Sequence, residues 1–556
     1  MAPIDLPCES AAKRSLGGNR RMTGRRSLRT LLELVSLMVY STAHAADLRV
    51  GLAQIPTTLD PLFYVGGSNT EIALNLFDQL VRQDAHQALV PGLATSWSRI
   101  DDDTWEFRLR HGVTFSDGSQ FGSMDILASV RHVAGITNSP SSLKPFIAGI
   151  AAIEIVASDR VRIVTKGPWP LLPNYLSRIA IIGRGMADAP TSAFDAGHVV
   201  GTGPFRFAHW TPGAGIDLVP NPGYWGGAPA WAHVQLRFIT DDAARVAALL
   251  AGDVDVIDAV PEGSVAAINA GGKARVVSTP GNRLIYLHLD SARDVSPDVR
   301  GVAGEMLVHN PLRDVRVRRA MSEAIDRAAV VARIMSGAGV PAGQYVPAGY
   351  PGYNPAIKVP NHDPAEARRL LAAAGYPNGF ALTVHGSSDR YPNGGALLQA
   401  LAQAFSRVGI ATKVDLQPGA IFFSRASHLE YSVIMGGAAI ETGEATGILN
   451  PLLATYDPAT GAGTGNRGRW SNQRFDALLD SAFHTLDTER REALLRQAAC
   501  IASQDVAIIP VLWLSQIWGL RTGLSYAPRS DGYTLASEVT PATGVTGAAP
   551  VTAAAP

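Results

Sequence analysis

Residues 379–416 read GFALTVHGSSDRYPNGGALLQALAQAFSRVGIATKVDL. FALTVHG (380–386) has the length and apolar content of a strand, ALLQALAQAFSRVG (396–409) is a helix stopped by Gly409, and ATKVDL (411–416) is a second strand. Between the first strand and the helix stands a polar loop that carries Asp389, Arg390 and Tyr391. Strand, loop, helix and strand in this order are the repeating unit of an α/β sheet. The segments on either side continue it. Asp363-Pro364-Ala365-Glu366 is a capping box with Pro at the first helical position, Leu370 and Leu371 face inward, and Gly375 stops that helix. YSVIMGG (431–437) is a further strand after a short connection.

The same rhythm occurs earlier. VQLRFIT (234–240) is a strand, Asp241 caps a helix through ARVAALLAG, and DVDVIDAV is the next strand. Such a βαβ unit has parallel strands and a right-handed crossover. Leu48, Val50 and Leu52 alternate as in a strand that breaks at AQIPTTLDP (53–61), and NTEIALNLFDQLV has helical spacing at Ile72, Leu76 and Leu80. From about 85 to 200 the pattern differs. WEFRLRHGV puts Trp105, Phe107 and Leu109 on one face and Glu106, Arg108 and Arg110 on the other, as in a half-exposed antiparallel strand. A turn at Ser116-Asp117-Gly118 and a helix from about Ser123 follow. The plan is two α/β lobes, the first interrupted by an α+β insertion.

Ligands of open α/β sheets sit outside the carboxyl ends of the parallel strands. The loop of Arg390 and Tyr391 leaves such an end. If YSVIM is parallel to FALTVH, the loop that begins at Gly436 and Gly437 and carries Glu441 and Glu444 leaves the same edge. Thr57 and Thr58 lie in the loop after the first strand of the other lobe. A guanidinium fork on that rim suits a carboxylate, and Glu441 suits an amine, so a small solute caught between lobes is the expected partner. A surface pairing of Arg390 with Asp389 is the alternative.

Composition narrows the class. The 556 residues suggest about two to four domains. With 48 basic and 48 acidic residues the formal charge is zero, which gives no electrostatic pull toward nucleic acid or anionic membranes. RRMTGRRSLRT, the short apolar run LLELVSLMVY and the small residues ending at Ala43 and Ala45 form a secretory signal, with cleavage expected after Ala45. An amphipathic first helix, or a twin-arginine signal at Arg25-Arg26, is an alternative, and Met22 is a candidate start. Of the two cysteines, Cys8 and Cys500, only Cys500 would remain, so no internal disulfide is expected. The tail TPATGVTGAAPVTAAAP is low-complexity and expected to be disordered.

Competing motifs are weaker. Gly463, Gly465 and Gly468 match G-x-G-x-x-G but do not follow a strand, so a loop is the better reading. Ser141-Ser142-Leu143-Lys144 matches the S-x-x-K of acyl-enzymes without its K-T-G companion. His362 and His385 have no partner at metal-ligand spacing. Trp105, Trp225 and Trp513 read as packing residues, and Trp470 as either packing or cleft-facing.

Several long segments together resemble one family, the extracellular solute-binding proteins of the peptide/nickel family that serve ABC importers. They include WEFRLRHGVTFSDGSQF, GTGPFRF, NPGYWGG, ALLAGDVDVI, PLRDVRVRRAMSEAIDR, HDPAEARRLLAAAGYPNGF, NRGRWSNQRFDALLDSA and DVAIIPVLW. The resemblance implies a two-lobed periplasmic binding protein fold (type II, cluster C-like) with an extra α+β domain inserted in the first lobe. On that plan residues 1–45 are the signal, 46–84, 201–288 and 515–540 the first lobe, 85–200 the insertion, 289–514 the second lobe and 541–556 the tail. It also implies a monomeric, non-enzymatic, cofactor-free periplasmic protein that binds a peptide or peptide-like solute and hands it to the transmembrane subunits of a permease. A secreted hydrolase, a sensing or chaperone role, and nickel uptake are the alternatives. In dipeptide-binding relatives an Asp of a G-W-x-x-D-x-G-D-like loop holds the ligand's amine. GAAIETGE places Glu441 at that Asp and Ala438 at the Trp. The ligand-binding set expected here is Arg390, Tyr391, Glu441, Glu444, Gly436, Gly437, Thr57, Thr58 and Trp470.

Overall fold

The computed structural model describes residues 46–542, so the signal expected at 1–45 lies outside the described residues, as does the tail beyond Ala542. Thr540 and Pro541, expected at the start of a disordered tail, instead form a short strand paired with Ser525 and Leu524. β1 (Asp47–Leu52) buries Leu48, Val50 and Leu52. After a loop comes α1 (Gly67–Leu76). The helical spacing holds at Ile72 and Leu76 but not at Leu80, which lies past the helix end, because Gly203 N–H donates to the Leu76 carbonyl at 3.1 Å. A carbonyl turned outward in this way cannot extend the helix.

The inserted sheet comprises β2 (Ala94–Arg99), β3 (Thr104–Leu109), β4 (Ile150–Ala157) and β5 (Arg160–Thr165) in the order β2-β3-β5-β4, with every pair antiparallel. Its core side gathers Phe107, Leu109, Val161 and Ile163 against α2 (Ser123–Gly135) and Leu172, the first residue of α3 (Leu172–Leu176). Glu106, expected on the exposed face, is buried instead, because Arg162 reaches it at 3.1 Å and Arg160 at 3.9 Å from the neighbouring strand.

The chain then returns to the first lobe through the antiparallel strands β6 (Phe205–Thr211), β7 (Gly215–Pro220) and β8 (His233–Phe238). Asp241 Oδ1 accepts from Ala244 N–H at 2.8 Å to start α4 (Asp242–Ala251), Gly252 ends it at φ 83°, and β9 (Val256–Ile257) follows. β1 lies between β8 and β9 and is parallel to both. The βαβ reading therefore holds, with β1 filling the gap.

β10 (Ala274–Leu289) leads to the second lobe. There α5 (Pro364–Ala373) starts at Asp363, whose carboxylate takes the Ala365 and Glu366 amides at 3.0 and 2.9 Å. The reciprocal half of the box is missing, since Asp363 N–H goes to the Glu323 carbonyl and Glu366 pairs with Arg369. β11 (Phe380–Ser387), α6 (Gly394–Arg407), β12 (Ile410–Gln417), α7 (Gly419–Ser427) and β13 (Val433–Ala439) follow, so a helix occupies the connection read as short. β11 is parallel to β12 and to β13, the latter pairing at Val384–Val433 and His385–Ile434.

β10 and β14 (Ile509–Arg521) join the lobes. They run antiparallel to each other, β9 pairs with β14 on one side, and β13 pairs with β10 on the other, from Arg283–Ala439 to Leu289–Val433. All belong to one twelve-stranded sheet. The β10–β14 register shifts between Pro280 and Leu284, where a proline cannot donate to the ladder. The change of core falls there, upstream of a cut at 288/289, because Leu284 and Tyr286 already pack on one second-lobe core and Ile285, Leu287 and Leu289 on another. This alternation puts two layers of that lobe on opposite faces of the sheet.

The first lobe meets the insertion at buried Asp78, whose Oδ2 accepts from Trp225 Nε1–H at 2.7 Å and Thr202 Oγ–H at 3.1 Å. The Trp225 ring packs against the core of the inserted sheet, and the Asp78 carbonyl accepts from Ile181 N–H at 2.9 Å. Burial lifts the Asp78 carboxyl from 3.8 to about 6, against the pull of Arg82. An acid whose folded pKa exceeds its unfolded one favours the fold when protonated, so its contribution is complete below about pH 4 and is lost as pH rises through about 6. Asp78→Asn is therefore expected to gain in Tm relative to the natural protein between about pH 4 and 6, then hold a constant difference. A Tm difference that does not vary across this window would count against the assignment.

Candidate functional site

Because β11 and β13 are parallel, the loops that follow them, 388–393 and 440–445, leave one sheet edge. Tyr391 ties the first loop to β13. Its hydroxyl donates to the Gly437 carbonyl at 3.4 Å, and its ring is buried in the second-lobe core. Burial raises the Tyr391 hydroxyl above its ordinary range, so it stays a donor. Gly436 and Gly437 give the aromatic rings room. A Cβ on Gly436 would come within 2.8 Å of the Tyr286 ring, and one on Gly437 within 2.7 Å of the Tyr391 ring. Arg390 is exposed and makes no ion pair or hydrogen bond among the described residues. Its neighbour Asp389 turns instead to Ser387 Oγ at 2.7 Å and Gly419 N–H at 2.9 Å, bonds that hold the carboxylate below its usual range. Asn393 reaches across to Glu262 at 3.1 Å.

The second loop touches the first lobe. Glu441 Oε2 accepts from Arg178 Nη2–H at 2.6 Å, and the Thr442 carbonyl accepts from Asn174 Nδ2–H at 2.8 Å. Gly443, at φ 74°, lies where a Cβ would approach the Gln87 carbonyl to 2.9 Å, so both conformation and space call for glycine. Arg178 also donates to Tyr533 Oη at 3.3 Å and Gln83 Oε1 at 3.5 Å. Burial alone would weaken its hold on the proton, but Glu441 and Tyr533 outweigh this and keep the guanidinium charged. Burial pushes Tyr533 up to about 12. Arg178 walls a polar crevice, partly open to solvent, shared with Asp78, Gln83, Arg529 and Asp531.

Three expected ligand groups belong to lobe interiors instead. Glu444 is 2% exposed on its side chain, pairs with Arg491 and accepts from Thr446 Oγ–H, so its charge is spent inside the second lobe. Thr58 is buried and donates to Asp195 at 2.7 Å. Trp470 packs edge-on against Phe475 at 5.1 Å between centroids, within the core. Thr57 is exposed, with its amide and hydroxyl on Asn69 Oδ1 at 3.2 and 3.3 Å. Arg178, Asn174, Gln83 and Tyr533 were missed. The available signal was Arg178 itself, the one charge in LLPNYLSRIAII.

The competing motifs resolve as structure. His385 stacks on Tyr431 and faces Asp415 at 2.9 Å and Asp298 at 3.2 Å. No cluster of three or more metal-ligating side chains occurs among the described residues. Ser141 Oγ donates to the Val65 carbonyl at 3.4 Å, and no described helix is long and apolar enough to cross a membrane.

Residues 88–459 match the family described as bacterial extracellular solute-binding proteins, family 5 Middle. The chain belongs to this family, whose members bind solutes and are not enzymes. It is 26% identical over 500 residues to the probable D,D-dipeptide-binding periplasmic protein DdpA of Escherichia coli K12, covering 86% of this chain and 92% of that one. Over 494 residues it is 27% identical to the glutathione-binding protein GsiB of Shigella dysenteriae serotype 1, with 86% and 92% covered. The periplasmic binding protein DppA of Helicobacter pylori, solved in complex with the peptide STSA, superposes with a TM-score of 0.73 at 23% identity, over 89% of this chain and 98% of that one. That likeness establishes the two-lobed fold.

Removing one partner of a buried ion pair strands the other, whereas an exposed unpaired side chain carries little stability. Glu444→Ala should accordingly cost about 3–5 kcal/mol in denaturant unfolding, and Arg390→Ala less than about 0.5 kcal/mol. Similar costs for the two would put Glu444 outside the folding core.

Proposed function

We propose that this family 5 solute-binding protein is the monomeric periplasmic receptor of an ABC importer. It takes a small peptide or peptide-like solute between its lobes and presents it to the transmembrane subunits of the permease. The observation that supports this most directly is the loop after β13, which stands at the carboxyl ends of two parallel strands and reaches Arg178 and Asn174 of the facing lobe. DdpA is named for D,D-dipeptides and GsiB for glutathione, and both names favour a peptide-like solute.

Arg390 and Tyr391 form the carboxylate end of the proposed site. Arg390 has its donors uncommitted on the rim, and Tyr391 fixes the loop that carries it. Planar donors meet a carboxylate bidentately, and closing the lobes removes water from the pair. Gly436 and Gly437 contribute the thin strand floor beneath the two tyrosine rings. Thr57 stands at the carboxyl end of β1 on the opposite rim.

Arg390→Ala is expected to weaken free-acid di- and tripeptides by roughly 10- to 100-fold in titration calorimetry, and to leave their C-terminal amides almost unaffected. Equal losses for acid and amide would remove Arg390 from the carboxylate end. Saturation with the tightest peptide should also contract the protein in small-angle X-ray scattering, and an unchanged radius of gyration would contradict lobe closure.

A further inference from the structure

Arg178 is the single charge between Leu171 and Ile182. The chain on both sides of it is anchored, with Leu176 and Ile181 in the core of the inserted sheet and Ile179, Ala180 and Ile182 in that of the first lobe. The side chain leaves this anchored backbone for the gap between the lobes. There its side chain is only 6% exposed, and three acceptors take its donors: Glu441, Tyr533 and Gln83. Asp531, the next acid in the polar crevice, is taken by Arg529 at 2.7 Å and by Gln87 at 2.8 Å. Glu441 is thus the ion-pair partner of Arg178.

The carboxylates of the two cleft loops differ in the same way. Asp389 turns to Ser387 and Gly419, and Glu444 is sealed against Arg491. Glu441 alone faces the first lobe, with its side chain 32% exposed. Its second oxygen lies 3.9 Å from where a Cβ on Gly66 would stand, so the carboxylate sits between a guanidinium and first-lobe backbone. By charge, this is where a cationic end of a solute would go. An ammonium arriving there would meet a carboxylate already neutralised, with a like charge at hydrogen-bonding distance from it. It would lose its hydration without gaining a net counter-charge.

We propose that Arg178 determines specificity: its guanidinium holds the position on Glu441 that a solute's ammonium group would otherwise take. The protein therefore selects peptide-like solutes whose amino end is blocked, or is replaced by a neutral or anionic group. This rests on the reading of an interlobe solute receptor. A neutral hydroxyl or amide N–H can donate to the exposed Glu441 oxygen, and a carbonyl can accept in the crevice beside Arg178, without competing for charge.

The test uses one set of dipeptides and tripeptides, each as the free amine and as its Nα-acetyl derivative, titrated calorimetrically into three proteins. The natural protein should bind the acetylated form at least as tightly as the free amine. Arg178→Gln, which keeps an amide near Gln83 and Tyr533 but frees Glu441, should reverse the order and favour the free amine by about 10-fold or more. The double variant Arg178→Gln/Glu441→Gln should lose that gain, which a merely structural role for Arg178 would not produce. A natural protein that prefers the free amine by about 10-fold overturns the assignment of Arg178 and leaves the receptor reading intact, and so does an Arg178→Gln variant with the natural preference. If no peptide of either form binds the natural protein, the receptor reading falls and the inference with it. Should Arg178→Gln fail to fold, the ratio measured on the natural protein decides alone.

Discussion

Backbone pairing must not stop where one lobe gives way to the other, and this constraint shapes the rest of the molecule. β10 and β14 pair from Ala274–Arg521 to Pro280–Ser515 and again from Leu284–Trp513 to Leu287–Ile509, and in the break between them Asn282 takes its backbone bonds from the Ser530 carbonyl and the Ile440 amide. A ladder interrupted in the interior would leave N–H and C=O groups without partners, each costing about 1–3 kcal/mol. The local crowding follows from the continuity. A Cβ on Gly281 would lie 2.5 Å from the Leu514 carbonyl, and one on Gly532, at φ 85°, 2.9 Å from the Gln516 side chain. The two glycines admit Gln516 to the crossing, and Asn282 N–H closes it by donating to the Ser530 carbonyl at 2.9 Å.

The continuous sheet also fixes where recognition chemistry can stand. With β13 paired to β10, and β11 parallel to both β12 and β13, the loops after these three strands leave the carboxyl edge of the second lobe, and those after β11 and β13 reach the other lobe. What faces them comes from the other lobe: Asn174 and Arg178 just beyond the inserted sheet, Glu262 after β9, and Ser530, whose Oγ lies 2.9 Å from Tyr350 Oη. These contacts are hydrogen bonds and one partly exposed ion pair, with no apolar seal among them. Contacts of this kind release more readily than a packed core, which is what a closing cleft needs.

Elements whose cause is local were legible in the sequence. The alternation of Leu48, Val50 and Leu52, the cap at Asp241, and the stops at Gly375 and Gly409 each depend on neighbours a few residues away, and each stands where expected. Leu80 broke the pattern because the cause was remote, a carbonyl claimed by Gly203. Site residues divide in the same way. Arg390 and Glu441 were placed on one rim by a rule of sheet topology that needs no contact map. Thr58 and Glu444 were misplaced because their partners, Asp195 and Arg491, lie 137 and 47 residues along the chain. Arg178 is 263 residues from Glu441, and no spacing pattern links two such positions.

Glu441 and Glu444 are three residues apart, and their work is divided. Glu444, bound inward to Arg491 and Thr446, gives the loop its shape, while Glu441 extends from that fixed base and is paired only across the gap. Substitution at 441 or 178 therefore alters what the loop meets without disturbing how it is built. Over evolutionary time such a division leaves the two members of the pair free to drift together, while selection for a folded protein holds the third acid in place.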